Sequence, residues 1–112
     1  MEACANSKHV LNLVEKFYVE EWIYIVSKFA PGGDLLQYCL NQDRGKLWMD
    51  ENRARYIFIQ LAFGLRDMHA VKLVHRDLKL LNIFMFDSTD KPKVKIGDLG
   101  LTALLRDGEM IA

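Results

Sequence analysis

The stretch from Asp50 to Ala70 constrains the fold more than any other. Ala54, Ile57, Phe58, Leu61, Ala62, Leu65 and Met68 recur at the spacing of one helical face, which predicts a helix of about 20 residues. Ile59 and Phe63 fall outside that stripe, so the helix is apolar nearly all round and needs neighbours on several sides. It reads as a core helix, and the rest of the chain has to supply its packing partners.

The flanking segments read as short strands. Leu11 to Phe29 is rich in Val, Ile, Tyr, Phe and Trp, and the charged pair Glu20-Glu21 divides it into two runs. That predicts an antiparallel pair turning at the two glutamates, although no Asn-Gly or Asp-Gly marks the turn. Pro31-Gly32-Gly33 stops the second strand, and Asp34 stands where it can cap a short helix over Asp34 to Leu40. Ile83 to Phe86 and Val94 to Ile96 are two further strands, separated by a turn-forming run of Asp, Ser, Thr and Pro within Asp87 to Lys93. Leu101 to Ala112 carries no firm signal.

Composition removes several function classes. Fifteen Lys and Arg balance 15 Asp and Glu among 112 residues, which leaves no net field to recruit nucleic acid or an anionic membrane. Tyr56 to Leu65, the longest apolar run, falls well short of the roughly 20 residues that span a bilayer. The residues after Met1 form no basic and apolar leader, so a location in the cytoplasm, with the nucleus as the alternative, is expected. Cys4 and Cys39 have no CxxC spacing and no His at ligand spacing, which argues against a disulfide framework or a zinc site and for small apolar roles.

The chemistry is concentrated in His75-Arg76-Asp77-Leu78-Lys79-Leu80-Leu81-Asn82, followed after a predicted strand pair by Asp98-Leu99-Gly100. Alone, either cluster reads as a turn or a solvated charge group. Six fixed positions in this arrangement arise by chance on the order of once in a million chains of this length. A hairpin between Asn82 and Asp98 would bring its two ends together, so both residues would sit at one mouth.

The conjunction resembles the catalytic and metal-binding loops of protein kinases. The resemblance implies an α+β, protein-kinase-like fold that is incomplete: the end of the N-lobe sheet and the hinge in residues 1–30, and the first half of the helical C-lobe in residues 31–112. It implies a Ser/Thr protein kinase that uses ATP and Mg2+ and takes a protein substrate with a Ser or Thr hydroxyl, while the charge balance leads to the expectation of no nucleic acid or membrane partner. In that reading Asp77 accepts or orients the proton of the attacking hydroxyl, and Lys79 places a cation near the γ-phosphate. Asn82 and Asp98 are hard oxygen ligands for magnesium. Arg76 resembles the arginine that pairs with a phosphate on the activation loop.

Ile23 to Leu35 extends the resemblance upstream. It looks like the fifth strand, hinge and following helix of the same family, with Ser27 as a small gatekeeper. The main chain of Lys28 and Ala30 would then meet the adenine edge, Asp34 would reach the ribose hydroxyls, and Phe84 would form the floor under adenine. Lys28 stands where Glu is common in the family, and Leu99 where Phe is usual. Leu13, His75 and Leu99 resemble three members of the apolar stack that aligns active kinases. Val94 to Leu101 is similar to NIMA-related and with-no-lysine kinases, and Asn82-Ile83-Phe84 also to the kinases of translation initiation factors.

No Gly-rich phosphate loop, Val-Ala-Ile-Lys strand or Ala-Pro-Glu segment occurs in the 112 residues. The chain alone is therefore expected to be inactive and, with its long helix uncovered, prone to aggregate. The alternative is a non-catalytic, truncated kinase-like module that binds a partner.

Overall fold

The computed structural model describes residues 7–42, 49–87 and 91–97, with the backbone of Ala103–Leu104. The first strand pair forms as its composition predicts. β1 (Leu13–Val19) and β2 (Trp22–Ser27) are antiparallel, with Val19 opposite Trp22, so Glu20 and Glu21 make a two-residue turn. Glu20 adopts a left-handed φ of 54°, the conformation this kind of turn needs and that Asn or Gly adopts more cheaply. Phe17 and Tyr24 face each other in the ladder with ring centroids 5.1 Å apart, a cross-strand pair contributing roughly 0.2–1 kcal/mol.

Helix α1 (Leu35–Gln42) begins where Asp34 caps it: Asp34 Oδ1 accepts the Gln37 N–H at 2.9 Å. Helix α2 (Glu51–Ala70) is capped in the same way by Asp50, whose Oδ1 accepts the Arg53 N–H at 2.9 Å. Each such cap is worth about 1 kcal/mol.

The buried face of α2 is rotated from the face that spacing predicts. Ile57, Gln60, Gly64 and Met68 are buried, and Leu61 and Leu65 pack against them, whereas Ala54, Phe58 and Ala62 are exposed. The reason is the surface that α2 packs on. Gln60 donates to the Pro92 carbonyl at 2.8 Å and accepts the Val94 N–H at 3.1 Å, bonds that an apolar residue cannot make. Gly64 leaves room for the main chain beside it, since a Cβ there would lie 2.8 Å from the His9 carbonyl oxygen.

Beyond α2 the chain forms β3 (Leu73–Val74), a 3-10 turn (Leu80–Asn82), β4 (Ile83–Met85) and β5 (Val94–Ile96). β4 and β5 pair antiparallel through Ile83 and Ile96, Phe84 and Lys95, and Met85 and Val94. Ile83, Met85, Val94 and Ile96 face the core with Ile57 and Met68, while Phe84 and Lys95 share the other face. The far edge of β5 is taken by residues 9–11, as Leu11 N–H donates to Ile96 O at 2.8 Å and Ile96 N–H to His9 O at 2.9 Å. A sixth strand, β6 (Ala103–Leu104), pairs with β3 in a region without a sequence signal.

Cys39 belongs to the core, and burial pushes its thiol pKa up, as befits a small apolar residue. Cys4 lies outside the described residues. No helix among the described residues is long and apolar enough to cross a membrane. Phe58 is 68% exposed and Ile59 47%, so a large apolar surface of α2 remains uncovered by the described residues.

Candidate active site

Three of the residues singled out in the sequence meet in one group, two of them hydrogen-bonded and the third joined by an ion pair. Asn82 Nδ2 donates to the Asp77 carbonyl at 2.7 Å and to Asp77 Oδ2 at 3.2 Å, closing the loop between them. Lys79 Nζ lies 3.7 Å from the same Oδ2. The Lys79 side chain is 53% exposed and the Asp77 side chain 31%, so both reach solvent, whereas Asn82 is buried. Among the described residues nothing donates to Asp77 Oδ1 or Asn82 Oδ1. One carboxylate oxygen and one amide oxygen are thereby left for ligands.

His75 fixes the near side of this loop. Its buried ring accepts the Asp77 N–H at Nδ1, at 3.1 Å, so the ring proton is on Nε2, which donates to the Gly97 carbonyl at 2.8 Å. Gly97 N–H in turn donates to the Asn82 carbonyl at 2.8 Å. Gly97 thus ties both ends of the Asp77–Asn82 loop together, and Asp98, outside the described residues, is its covalent neighbour. Next to Asp77, Arg76 holds a left-handed φ of 69°, the kind of costly backbone that persists where surrounding contacts over-determine it. Arg76 is exposed, while the segment that would bring it a phosphate lies outside the described residues.

The residues expected at the nucleotide are gathered by the segment between β2 and α1. Gly32 N–H donates to Met85 O at 2.9 Å, and Met85 N–H to Gly33 O at 2.8 Å, while Asp34 forms a bridge with Phe84. These bonds seat Asp34 beside Phe84. The approach needs Gly32, because a Cβ there would be 2.7 Å from that of Met85, and Gly33 has a left-handed φ of 71°. Ala30 is buried and its carbonyl accepts the Gly33 N–H at 3.2 Å, leaving a second lone pair. Lys28 is exposed directly after Ser27, the last residue of β2. One Asp34 oxygen is committed to the helix cap, so the other is the one available to a hydroxyl.

Sequence reasoning missed the part played by Gly97. Its backbone makes the two bonds just described, and a Cβ would sit 2.4 Å from Phe84 Cε2 and 3.2 Å from Leu11 Cδ2. The ring of Phe84 lies flush against this glycine. Lys95, opposite Phe84, was also unremarked: burial and then the charge of Lys28 hold its pKa below the ordinary lysine value, and its ammonium sits 5.1 Å from the Phe86 ring centroid. Leu13 is half-buried at the start of β1 and Leu99 lies outside the described residues.

A family model described as the protein kinase domain matches residues 1–111. The chain belongs to the protein kinase domain family. Among its relatives, serine/threonine-protein kinase Nek3 of Mus musculus is 37% identical over 90% of this chain. The probable serine/threonine-protein kinase zyg-1 of Caenorhabditis elegans is 36% identical over 97% of it, and the rice serine/threonine protein kinase OSK3 35% over 92%. The chain spans a fifth or less of these kinases' own length: 19%, 15% and 19%. Three differently named kinases match almost equally well, so the likeness supports the kinase family and no single branch of it.

Proposed function

We propose that this kinase-family chain carries the phosphoryl-transfer centre of a Ser/Thr protein kinase, which moves the γ-phosphate of ATP to hydroxyls of protein substrates. The observation that carries the reading is the Asp77–Asn82–Lys79 group, in which the buried Asn82 amide holds one Asp77 carboxylate oxygen and the other has no hydrogen-bond donor among the described residues. Phosphoryl transfer asks little covalent chemistry of the protein and much alignment and charge neutralisation.

Asp77 Oδ1 accepts the hydroxyl proton of the bound Ser or Thr and points its oxygen along the line of attack. Lys79, close to Asp77 and largely exposed, swings its ammonium onto the γ-phosphate as charge shifts there. Asn82 keeps the carboxylate from turning, and His75 keeps the main chain of Asp77 in place. Lys28 and Ala30 read the adenine edge with backbone groups, Asp34 takes the ribose with its uncommitted oxygen, and Phe84 supports the base.

The donor chemistry fits magnesium. Asn82 Oδ1 is a hard oxygen without a hydrogen-bond partner among the described residues, and Asp98 would add a carboxylate next to the anchored Gly97. Among the described residues there is no cluster of three or more His, Cys, Asp or Glu, so no all-protein cage competes with this arrangement. Magnesium commonly binds through one or two protein oxygens plus substrate phosphates. When bound, it would neutralise phosphate charge. A cytoplasmic or nuclear location, where ATP and protein hydroxyls meet, completes the reading.

The test is transfer of labelled γ-phosphate from ATP to a Ser/Thr peptide library by the full protein, with and without Mg2+. Magnesium-dependent phosphoserine or phosphothreonine is expected. Nucleotide binding without transfer to any peptide would favour a binding module.

A further inference from the structure

A second candidate site lies where residues 7–9 cross the C-terminal half of α2. An open cleft of about 400 Å³ is lined by Lys8, His9, Phe63, Arg66 and Asp67. Its residues are distinct from the Asp77 group.

The walls are preorganised. The His9 ring stacks on Phe63 with centroids 6.0 Å apart and an interplanar angle of 25°, and the Arg66 guanidinium lies 4.8 Å from the Phe63 centroid. Arg66 also holds Asp67 Oδ1 through Nη2 at 3.2 Å, while Ser7 Oγ donates to Asp67 Oδ2 at 2.7 Å. Both oxygens of the one carboxylate in the cleft are therefore engaged within the protein. Arg66 uses two of its five N–H donors on Asp67, and its side chain is 68% exposed. Lys8 is exposed, and Phe63 is 43% exposed. The backbone behind them is pinned to β5 through the His9 carbonyl and packed against Gly64.

A fixed guanidinium and an ammonium beside an accessible aromatic ring complement a carboxylate adjacent to an apolar side chain. Nucleic acid fits less well, since the chain has zero formal charge and the cleft itself contains a carboxylate. We propose that this cleft docks an acidic peptide segment of a partner protein, seating an apolar or aromatic side chain on Phe63 and a neighbouring carboxylate on Arg66 and Lys8. The docking surface stands independently of the phosphoryl-transfer reading.

The experiment uses the full protein and a fluorescein-labelled acetyl-Glu-Phe-Glu-Glu-amide peptide, read by fluorescence anisotropy. Saturable binding is expected that weakens as salt rises, falls about tenfold in the double variant Lys8→Ala/Arg66→Ala and falls comparably in Phe63→Ala. Phosphoryl transfer and thermal stability measured on the same samples separate docking from folding and from the active-site reading. The proposal is overturned if wild type does not saturate, if the variants bind equally, or if a Gln-for-Glu peptide binds as well. Binding to phosphatidylserine vesicles without binding to the peptide would overturn it too.

Discussion

Asn82 donates one amide group to Asp77 twice, to its carbonyl at 2.7 Å and to its carboxylate at 3.2 Å. The residue expected to hold a metal is thus also the one that orients the carboxylate proposed to accept the hydroxyl proton. Asn82→Ala should lower stability by about 1–3 kcal/mol, because the Asp77 carbonyl loses its donor. It should also cut kcat at least a hundredfold and raise the Mg2+ concentration needed for half-maximal rate. Melting curves and Mg2+ titrations check both parts, and an unchanged Mg2+ midpoint would remove Asn82 from the ligand set.

Gly97→Ala drives a methyl group into the Phe84 ring. The ring has to swing away, at a cost of about 1–3 kcal/mol, and KM for ATP should rise several-fold with a smaller change in kcat. Phe84→Leu in the same chain should relieve part of the stability loss. A double-mutant cycle tests this, and strict additivity would show that the two residues do not press on each other.

Lys28, directly after β2, and Lys95 in β5 repel each other. Burial, and then Lys28, hold Lys95 below its ordinary value of 10.5, so the unfolded chain binds its proton more readily than the folded one. Stability should therefore rise as pH climbs from the lowered folded pKa toward 10.5. Lys28→Glu replaces repulsion with attraction and should stabilise the neutral-pH protein by about 0.5 kcal/mol, an increment that salt erodes. Melting temperatures across salt and pH series measure it, and a lower melting point at low salt would contradict it.

Asp67 accepts from Ser7 and pairs with Arg66, and the Ser7 hydrogen bond in particular draws its pKa below the ordinary 3.8. A lowered folded pKa means the stabilisation is complete above the unfolded value and disappears as pH falls through the folded one. Asp67→Asn should flatten the acid limb of the stability curve below about pH 4, with little change in its shape near neutrality. Ser7→Ala should flatten it in the same sense. Denaturation as a function of pH decides, and parallel curves for wild type and Asp67→Asn would refute the coupling.

The strand pairs and both helices were legible because each follows from a local rule: β-branched and aromatic runs, capping Asp residues, and the Pro31-Gly32-Gly33 stop. The buried face of α2 was not, since counting apolar positions favours Phe58 over Gln60 and Gly64. Only the packing against β5 and residues 9–11 reveals that a hydrogen-bonding side chain and a missing Cβ are needed there. The β3–β6 pair is two residues per strand and depends on a distant partner, which leaves no periodicity to read. At the site, Asp77, Lys79 and Asn82 were legible through the resemblance that their conjunction with Asp98 carries, while Gly97 acts through its backbone and through the space it leaves. Its place beside Asp98 was the single available hint.

The most direct test of the central claim is phosphoryl transfer by Asp77→Asn in the full protein. Asparagine preserves size and can still accept from Asn82, so folding and nucleotide affinity should match wild type. Transfer should fall by about a thousandfold or more, within the range for losing a positioned proton acceptor together with its alignment. Wild-type transfer by a folded Asp77→Asn protein would contradict the assignment of Asp77 and, with it, the account of the site.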